Sequence, residues 1–326
     1  MVVDESTLVL LLRLIDRIPT PPVTPRRGRP TVYPDRLFLK ALVIMILKRL
    51  PRVHLLVAVL AQDTPEMRRL RAVLTDAQGR YPTRRTWERR LRAVPDTLPA
   101  QIGCLGRHLV GRIDPWAECG RAAAIDSTCL RAKGGVWHKK HREAGEVPHT
   151  SIDTEAHWTK SGWHGWVYGW KLHLVTTVAG VWIPLAARLT PANVADNEEA
   201  PRLLEELPSE LRFLLGDTHY QDPDLHDACG TRGWTLIATR HGRYPHADGG
   251  QEVRRVFHKL RSTAIENLNG QFKGIFECGG QVPTRGLMPT QRYILGAVLV
   301  YQLTLLYRFE AGQDLRVGLK PFLRAA

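Results

Sequence analysis

Phe213-Leu214-Leu215-Gly216-Asp217-Thr218-His219-Tyr220 reads as a short buried strand that ends on a carboxylate. A brief apolar run closed by Gly is the pattern of a strand covered on both faces. Upstream, Ala124-Ile125-Asp126-Ser127-Thr128 has the same ending, although the alanines of the Ala122–Ile125 run leave its strand assignment open. Downstream lies Ala264-Ile265-Glu266-Asn267-Leu268-Asn269-Gly270-Gln271-Phe272-Lys273. There Ile265, Leu268, Phe272 and Ile275 form a helical apolar stripe, and Ser262, Glu266, Asn269 and Lys273 share the neighbouring polar face. Two carboxylates at strand ends and one on a helix, Asp126, Asp217 and Glu266, can converge on one point. Convergent carboxylates are oxygen ligands for Mg²⁺ or Mn²⁺, which bind through a few carboxylates plus substrate phosphates. On the residues alone, Glu266 and Lys273 suit the solvated face of an ordinary helix slightly better than a catalytic site.

Between these segments the pattern is α/β. Lys171-Leu172-His173-Leu174-Val175-Thr176-Thr177 alternates polar and apolar, and a turn through Ala179-Gly180 leads into Val181–Leu189, which predicts a hairpin. A helix over Asn197–Glu206, the strand Leu211–Leu215, a helix over Asp222–Gly230, a strand over Trp234–Ala238 and the Glu266 helix follow. The order predicts a mixed sheet flanked by helices. Ligands of open α/β sheets collect at the carboxyl ends of strands, where Asp126 and Asp217 are expected. Asp196 is placed to cap the helix after the hairpin, with a supporting role at the site as the alternative; Asp153 and Asp222 read as turn and cap residues.

The first third is mainly helical. Pro19–Pro34 is a Pro/Arg/Gly cluster that reads as a loop or an arm along phosphates. A helix over Asp35–Leu60, interrupted at Pro51, and another from near Pro65 precede Pro82-Thr83-Arg84-Arg85-Thr86-Trp87, which opens a short basic helix. Its Arg84, Arg85, Arg89 and Arg90 are the candidate DNA contacts, since helix, turn and basic helix suit a groove. A helical dimerisation region would read similarly. A helical connector, roughly Leu98–Val110, joins this region to the α/β part.

Forty-six Lys and Arg against thirty-two Asp and Glu give a net charge of +14, which favours a polyanionic partner. With 44% apolar residues the chain can build a full core. Cys104, Cys119, Cys129, Cys229 and Cys278 are scattered and odd in number, so a reducing, cytoplasmic setting is expected, without a disulfide framework. The opening Leu/Val stretch follows Asp4 and Glu5 and lacks a basic leader region; the apolar run Ile294–Leu306 is too short to span a bilayer and reads as a core helix. Trp137–Trp170 is rich in His and Trp. Cys129, His138 and His141 lack the spacing of a zinc site. The aromatics there either stack on splayed bases or pack a loop down.

Several blocks together resemble the bacterial insertion-sequence DDE transposases. They are Ala124–Thr128, Gly169-Trp170-Lys171-Leu172-His173-Leu174, Leu189–Asp196, Gly216–Tyr220 and Ile265-Glu266-Asn267 with Lys273, in that order over residues 117–310. Arg29-Pro30-Thr31-Val32-Tyr33 and Pro82–Trp87 resemble N-terminal blocks of the same group. The resemblance implies an RNase H-like fold and a triad of Asp126, Asp217 and Glu266 holding two Mg²⁺ or Mn²⁺ ions. It implies hydrolysis at transposon ends, then attack of the freed 3′-OH on target DNA, with neither Ser127 nor Tyr220 as nucleophile. Lys273 matches the Lys after the family's Glu. The Tyr and Arg that usually precede that Glu are replaced by Lys259 and Ser262, with Arg261 one position earlier as a substitute phosphate contact. The expected organisation is a helical DNA-binding region (1–97), a connector (98–116), an RNase H-like catalytic domain (117–312) and a tail (313–326). Its partners are the terminal repeats and target DNA, and the working complex is at least a dimer. The alternatives are a catalytically silent DNA-binding derivative and a nuclease without strand transfer.

Overall fold

A computed structural model describes residues 7–22, 32–116, 121–162, 165–238 and 250–324, so the readings on Asp4, Glu5, the arm over 23–31, Cys119, Trp163 and His164 lie outside the described residues. The N-terminal part is helical: α1 (Thr7–Leu14), α2 (Asp35–Leu47), α3 (Val53–Leu60), α4 (Pro65–Val73), α5 (Arg84–Ala93) and α6 (Leu98–Ile113). The long helix expected over Asp35–Leu60 is divided into α2 and α3 at the Pro51 segment, where Arg49 takes a left-handed conformation (φ 55°). Thr64 and Thr83 cap α4 and α5 by accepting from the N–H groups of Met67 and Thr86.

The α/β part runs β1 (Ala122–Arg131), α7 (Lys139–Glu143), β2 (His157–Ser161), β3 (Gly165–Thr177), β4 (Pro184–Pro191), α8 (Asp196–Leu204), β5 (Phe213–Leu215), α9 (Pro223–Gly230), β6 (Thr235–Ile237), α10 (Gly250–Ile275), α11 (Leu287–Glu310) and α12 (Lys320–Arg324). β3 is antiparallel to β1 and to β4, while β5 runs parallel to β1, and β6 parallel to β5. The order β4–β3–β1–β5–β6, three antiparallel strands followed by two parallel ones, is the RNase H-like arrangement. β2 adds a ribbon to the first residues of β3, pairing His157 with Gly169 through Ser161 with Gly165.

β1 does not end at Asp126, as the sequence suggested. Its long antiparallel partner carries it on to Arg131, with Asp126 opposite Leu174. Only the β5 side stops early, because β5 pairs with Ala122–Ala124 alone. Asp126 therefore sits just beyond the last rung of the parallel ladder, on an edge that β5 has left open. Gly216 makes the corresponding turn after β5; a Cβ there would lie 2.8 Å from the Tyr220 Cβ, so only glycine lets Tyr220 fold back against the strand end.

α10 lies over the sheet with Ala264 and Ile265 packed on Ala122, Ala124 and Leu215. α11 contacts α1, α2, α5, α6 and β4, and its core includes the Ile294–Leu306 run. One continuous apolar core thus joins the N-terminal helices to the sheet. Among the described residues no helix is long and apolar enough to cross a membrane.

Candidate active site

The open edge of β1 and the turn after β5 bring Asp126 and Asp217 together. Asp126 Oδ1 accepts a 2.7 Å hydrogen bond from the Ser127 N–H, and Oδ2 lies 3.7 Å from an Arg261 guanidinium nitrogen. Burial raises its pKa to about 6; the Ser127 N–H opposes this, the charge of Asp217 adds to it, and Arg261 partly relieves it. Asp217 caps the short 3₁₀ turn Thr218–Tyr220, with Oδ1 accepting from the His219 N–H at 2.8 Å and Oδ2 lying 3.0 Å from His219 Nδ1. That hydrogen bond, with the charge behind it, raises the His219 pKa above its usual value.

Behind the pair sits a network that the sequence reading did not assemble. The N-cap of α8 is Ala195, without a side-chain cap, so Asp196 is not the capping residue expected. Its carboxylate turns to β3 instead, with Oδ1 3.1 Å from Lys171 Nζ and 3.5 Å from His173 Nδ1. Lys171 also donates to the Val194 carbonyl at 2.9 Å, and His173 Nε2 meets the Thr190 hydroxyl at 2.8 Å. Burial pushes the His173 pKa down to about 4 against the pull of Asp196, so the ring is neutral at neutral pH. His173 Nδ1 and Asp196 Oδ1 have no hydrogen-bond partner among the described residues, so their contact is electrostatic. Tyr220 is fully buried; its hydroxyl has no hydrogen-bond partner among the described residues and lies within the field of Asp196, Asp126 and Asp217. The signal in the sequence was Lys171 and His173 at i and i+2, two ionisable side chains on one face of a mostly apolar strand. Asp222 does cap α9, and Asp153 accepts from the Gly286 and Glu155 N–H groups, as a cap and a turn residue respectively.

On α10 the residue that reaches the acidic pair is Arg261. It lies on the same stripe as the buried Ala264, Ile265 and Leu268, whereas Glu266 is rotated roughly 140° from it and is exposed. Among the described residues, no three His, Cys, Asp or Glu side chains lie close enough together to hold a metal ion, so neither Glu266 with the aspartates nor Cys129 with His138 and His141 forms such a group. Lys273 shares the flank of Glu266; burial lowers its pKa, and it lies within electrostatic reach of Cys129 on β1. Asp126 and Asp217 are thus brought together with Arg261, and Glu266 and Lys273 stand to one side.

α5 divides its arginines in the same way. Arg85 and Arg89 are exposed and form no ion pair or hydrogen bond among the described residues; Arg84 is exposed and pairs with Glu88 at 2.9 Å. Arg90 is turned inward, stacked 4.4 Å over the Phe38 ring and ion-paired with Asp35.

Residues 117–303 match the family model described as Transposase DDE domain. No curated protein matches the chain. Among solved structures, the piggyBac transposase synaptic complex with hairpin DNA aligns at 10% identity over 97% of this chain and 75% of that chain, with a TM-score of 0.42. A pre-cleavage Mos1 transpososome aligns at 11% identity over 90% of this chain and 82% of that chain, with a TM-score of 0.23. A Mos1 paired-end complex with the left transposon end aligns at 16% identity over 91% and 83%, also at 0.23. These likenesses are distant, and the RNase H-like fold is carried by the strand order itself.

Proposed function

The chain belongs to the transposase DDE domain family, and from that premise we propose that it cuts DNA at the ends of a mobile element and joins the freed 3′-OH to target DNA. The observation that supports this reading is the Asp126–Asp217 pair at the open edge of β1. Two oxygen donors of like charge, one with its pKa raised to about 6, fit a hard divalent cation bound through one or two carboxylates and substrate phosphates. Asp126 and Asp217 would hold Mg²⁺ or Mn²⁺, with Glu266 as the third carboxylate of the family's triad. Such a cation supplies Lewis acidity to the attacking water and to the leaving oxygen. The protein's own part is positional. The Ser127 N–H and Arg261 fix the Asp126 carboxylate, and the His219 N–H fixes that of Asp217. Lys273 and Arg261 would meet phosphates near the cut, and the exposed Arg84, Arg85 and Arg89 the element ends. Bringing two ends together calls for at least a dimer in the working complex.

A second reading, a silent DNA-binding derivative, draws on the Arg261 ion pair with Asp126 and on the exposed Glu266. Cleavage of a plasmid carrying the gene with its flanking DNA, in Mg²⁺ or Mn²⁺, separates the two. Cuts at the element ends that vanish in Asp217→Asn support the enzyme; end binding without cleavage supports the derivative.

A further inference from the structure

Trp166 is 64% exposed, the most exposed of the large apolar side chains described. Its neighbours in the same segment are seated. Trp170 is fully buried, the Trp158 indole donates to the Trp137 carbonyl at 2.9 Å, and the Trp137 indole donates to the Glu146 carbonyl at 2.7 Å. Trp158 in turn packs on Tyr168 at 5.4 Å and meets Trp166 edge-on at 6.4 Å and 85°. Trp166 is therefore held at one edge by a fixed aromatic base, while much of its surface is open to solvent. Directly across the ribbon, Lys160 is exposed and has no ion-pair partner among the described residues. Lys140 is likewise exposed, and Arg142 lies 5.4 Å over the Trp137 ring; the nearby acids Glu143 and Glu146 face Lys139 and His141.

We propose that Trp166 and Lys160, on the β2–β3 ribbon, form a stacking site for an unpaired nucleobase of DNA. The inference rests on the transposase reading above and deepens it. A flat π-faced group carried on a polyanion is the ligand that matches an open indole beside the exposed Lys160 ammonium, and stacking of this kind tolerates any base. The site is remote from the chemistry. Trp166 precedes Leu174, the partner of Asp126, by a stretch of strand roughly 26 Å long at about 3.3 Å per residue. It therefore meets nucleotides flanking the cut, where strands separate, rather than the scissile phosphate.

The test is anisotropy with two labelled probes, an oligo(dT) of about 20 nucleotides and a duplex of equal length, against the full chain and its Trp166→Ala and Trp166→Phe variants. Loss of one stacked base predicts that Trp166→Ala binds oligo(dT) about tenfold or more weakly, that duplex affinity stays within about twofold, and that Trp166→Phe recovers most of the loss. Unchanged oligo(dT) binding by Trp166→Ala overturns the proposal. So does a shift from dimer to monomer in that variant with DNA affinity intact, which would make the patch a contact between copies of the chain. A wild-type chain that binds neither probe overturns the DNA reading itself, an outcome distinct from failure of the stacking site alone.

Discussion

Asp126 keeps its charge against the preference of the fold. Its pKa is raised from 3.8 to about 6, so the native state binds this proton more tightly than the unfolded chain does. Stability from this group is therefore greatest below about pH 4 and is lost as pH rises toward 6. In the metal-free protein, Asp126→Asn should stabilise the fold at pH 7 by about 3 kcal/mol, seen as a higher melting temperature, and flatten the pH dependence between 4 and 6. Thermal melts at several pH values check this; a lower melting temperature for the variant at pH 7 would contradict it. Asp196 predicts the opposite sign. Its partner Lys171 has a side chain only 10% exposed, so Asp196→Ala leaves a buried cation unpaired and should cost roughly 3 kcal/mol in a denaturant titration. A loss below about 0.5 kcal/mol would show that the pair behaves as a solvated surface contact. Asp126 and Asp217 were legible in the sequence because each ends an apolar run. Asp196 was misread because capping is a rule about adjacent residues, while Lys171 and His173 come from a strand some 25 positions earlier in the chain.

Each site residue is aimed by the element that carries it. Gly216 allows the chain to leave β5 and fold Tyr220 back beneath Asp217, so Gly216→Ala should shift both. We expect that variant to lose about 1–3 kcal/mol of stability and most of its cleavage, read by melts and plasmid nicking; wild-type values in both would contradict the tight turn. On α5 the prediction separates two kinds of arginine. Arg85→Ala and Arg89→Ala should weaken DNA binding evenly across sequences, each lowering the salt dependence by about one counterion. Arg90→Ala should instead lower the melting temperature and leave that dependence unchanged, because Arg90 packs on Phe38. Sequence periodicity located α5 and α10, and it found the buried stripe of α10. It could not say that Arg261 rather than Glu266 would touch Asp126, since that depends on how the helix is rotated over β1. Nor could it show that β1 continues past Asp126, because the residues from there on alternate too weakly to outline a strand until β3 is paired beside them.

At the scale of the whole molecule, α11 binds the N-terminal helices and the sheet into one core. Gly296 brings it against Leu42 of α2 so closely that a Cβ would come within about 3.0 Å of that side chain. A chain beginning at residue 98 would uncover the faces of α11 that α1, α2 and α5 cover. Such a fragment should lack a cooperative melt, whereas the full chain should unfold in one transition by near-ultraviolet and far-ultraviolet dichroism alike. A fragment with its own sharp transition would contradict the shared core. The mixed sheet and the helical first third were both legible in the sequence. The joint between them was not, because an apolar helix such as Ile294–Leu306 declares that it is buried without declaring against what. The central claim is that Asp126 and Asp217 together form a divalent cation site. Calorimetric titration of Mn²⁺ into the full-length chain tests it most directly, comparing wild type with Asp217→Asn. Saturable binding by the wild type that is lost in the variant is the predicted result; binding undiminished in Asp217→Asn would contradict the account.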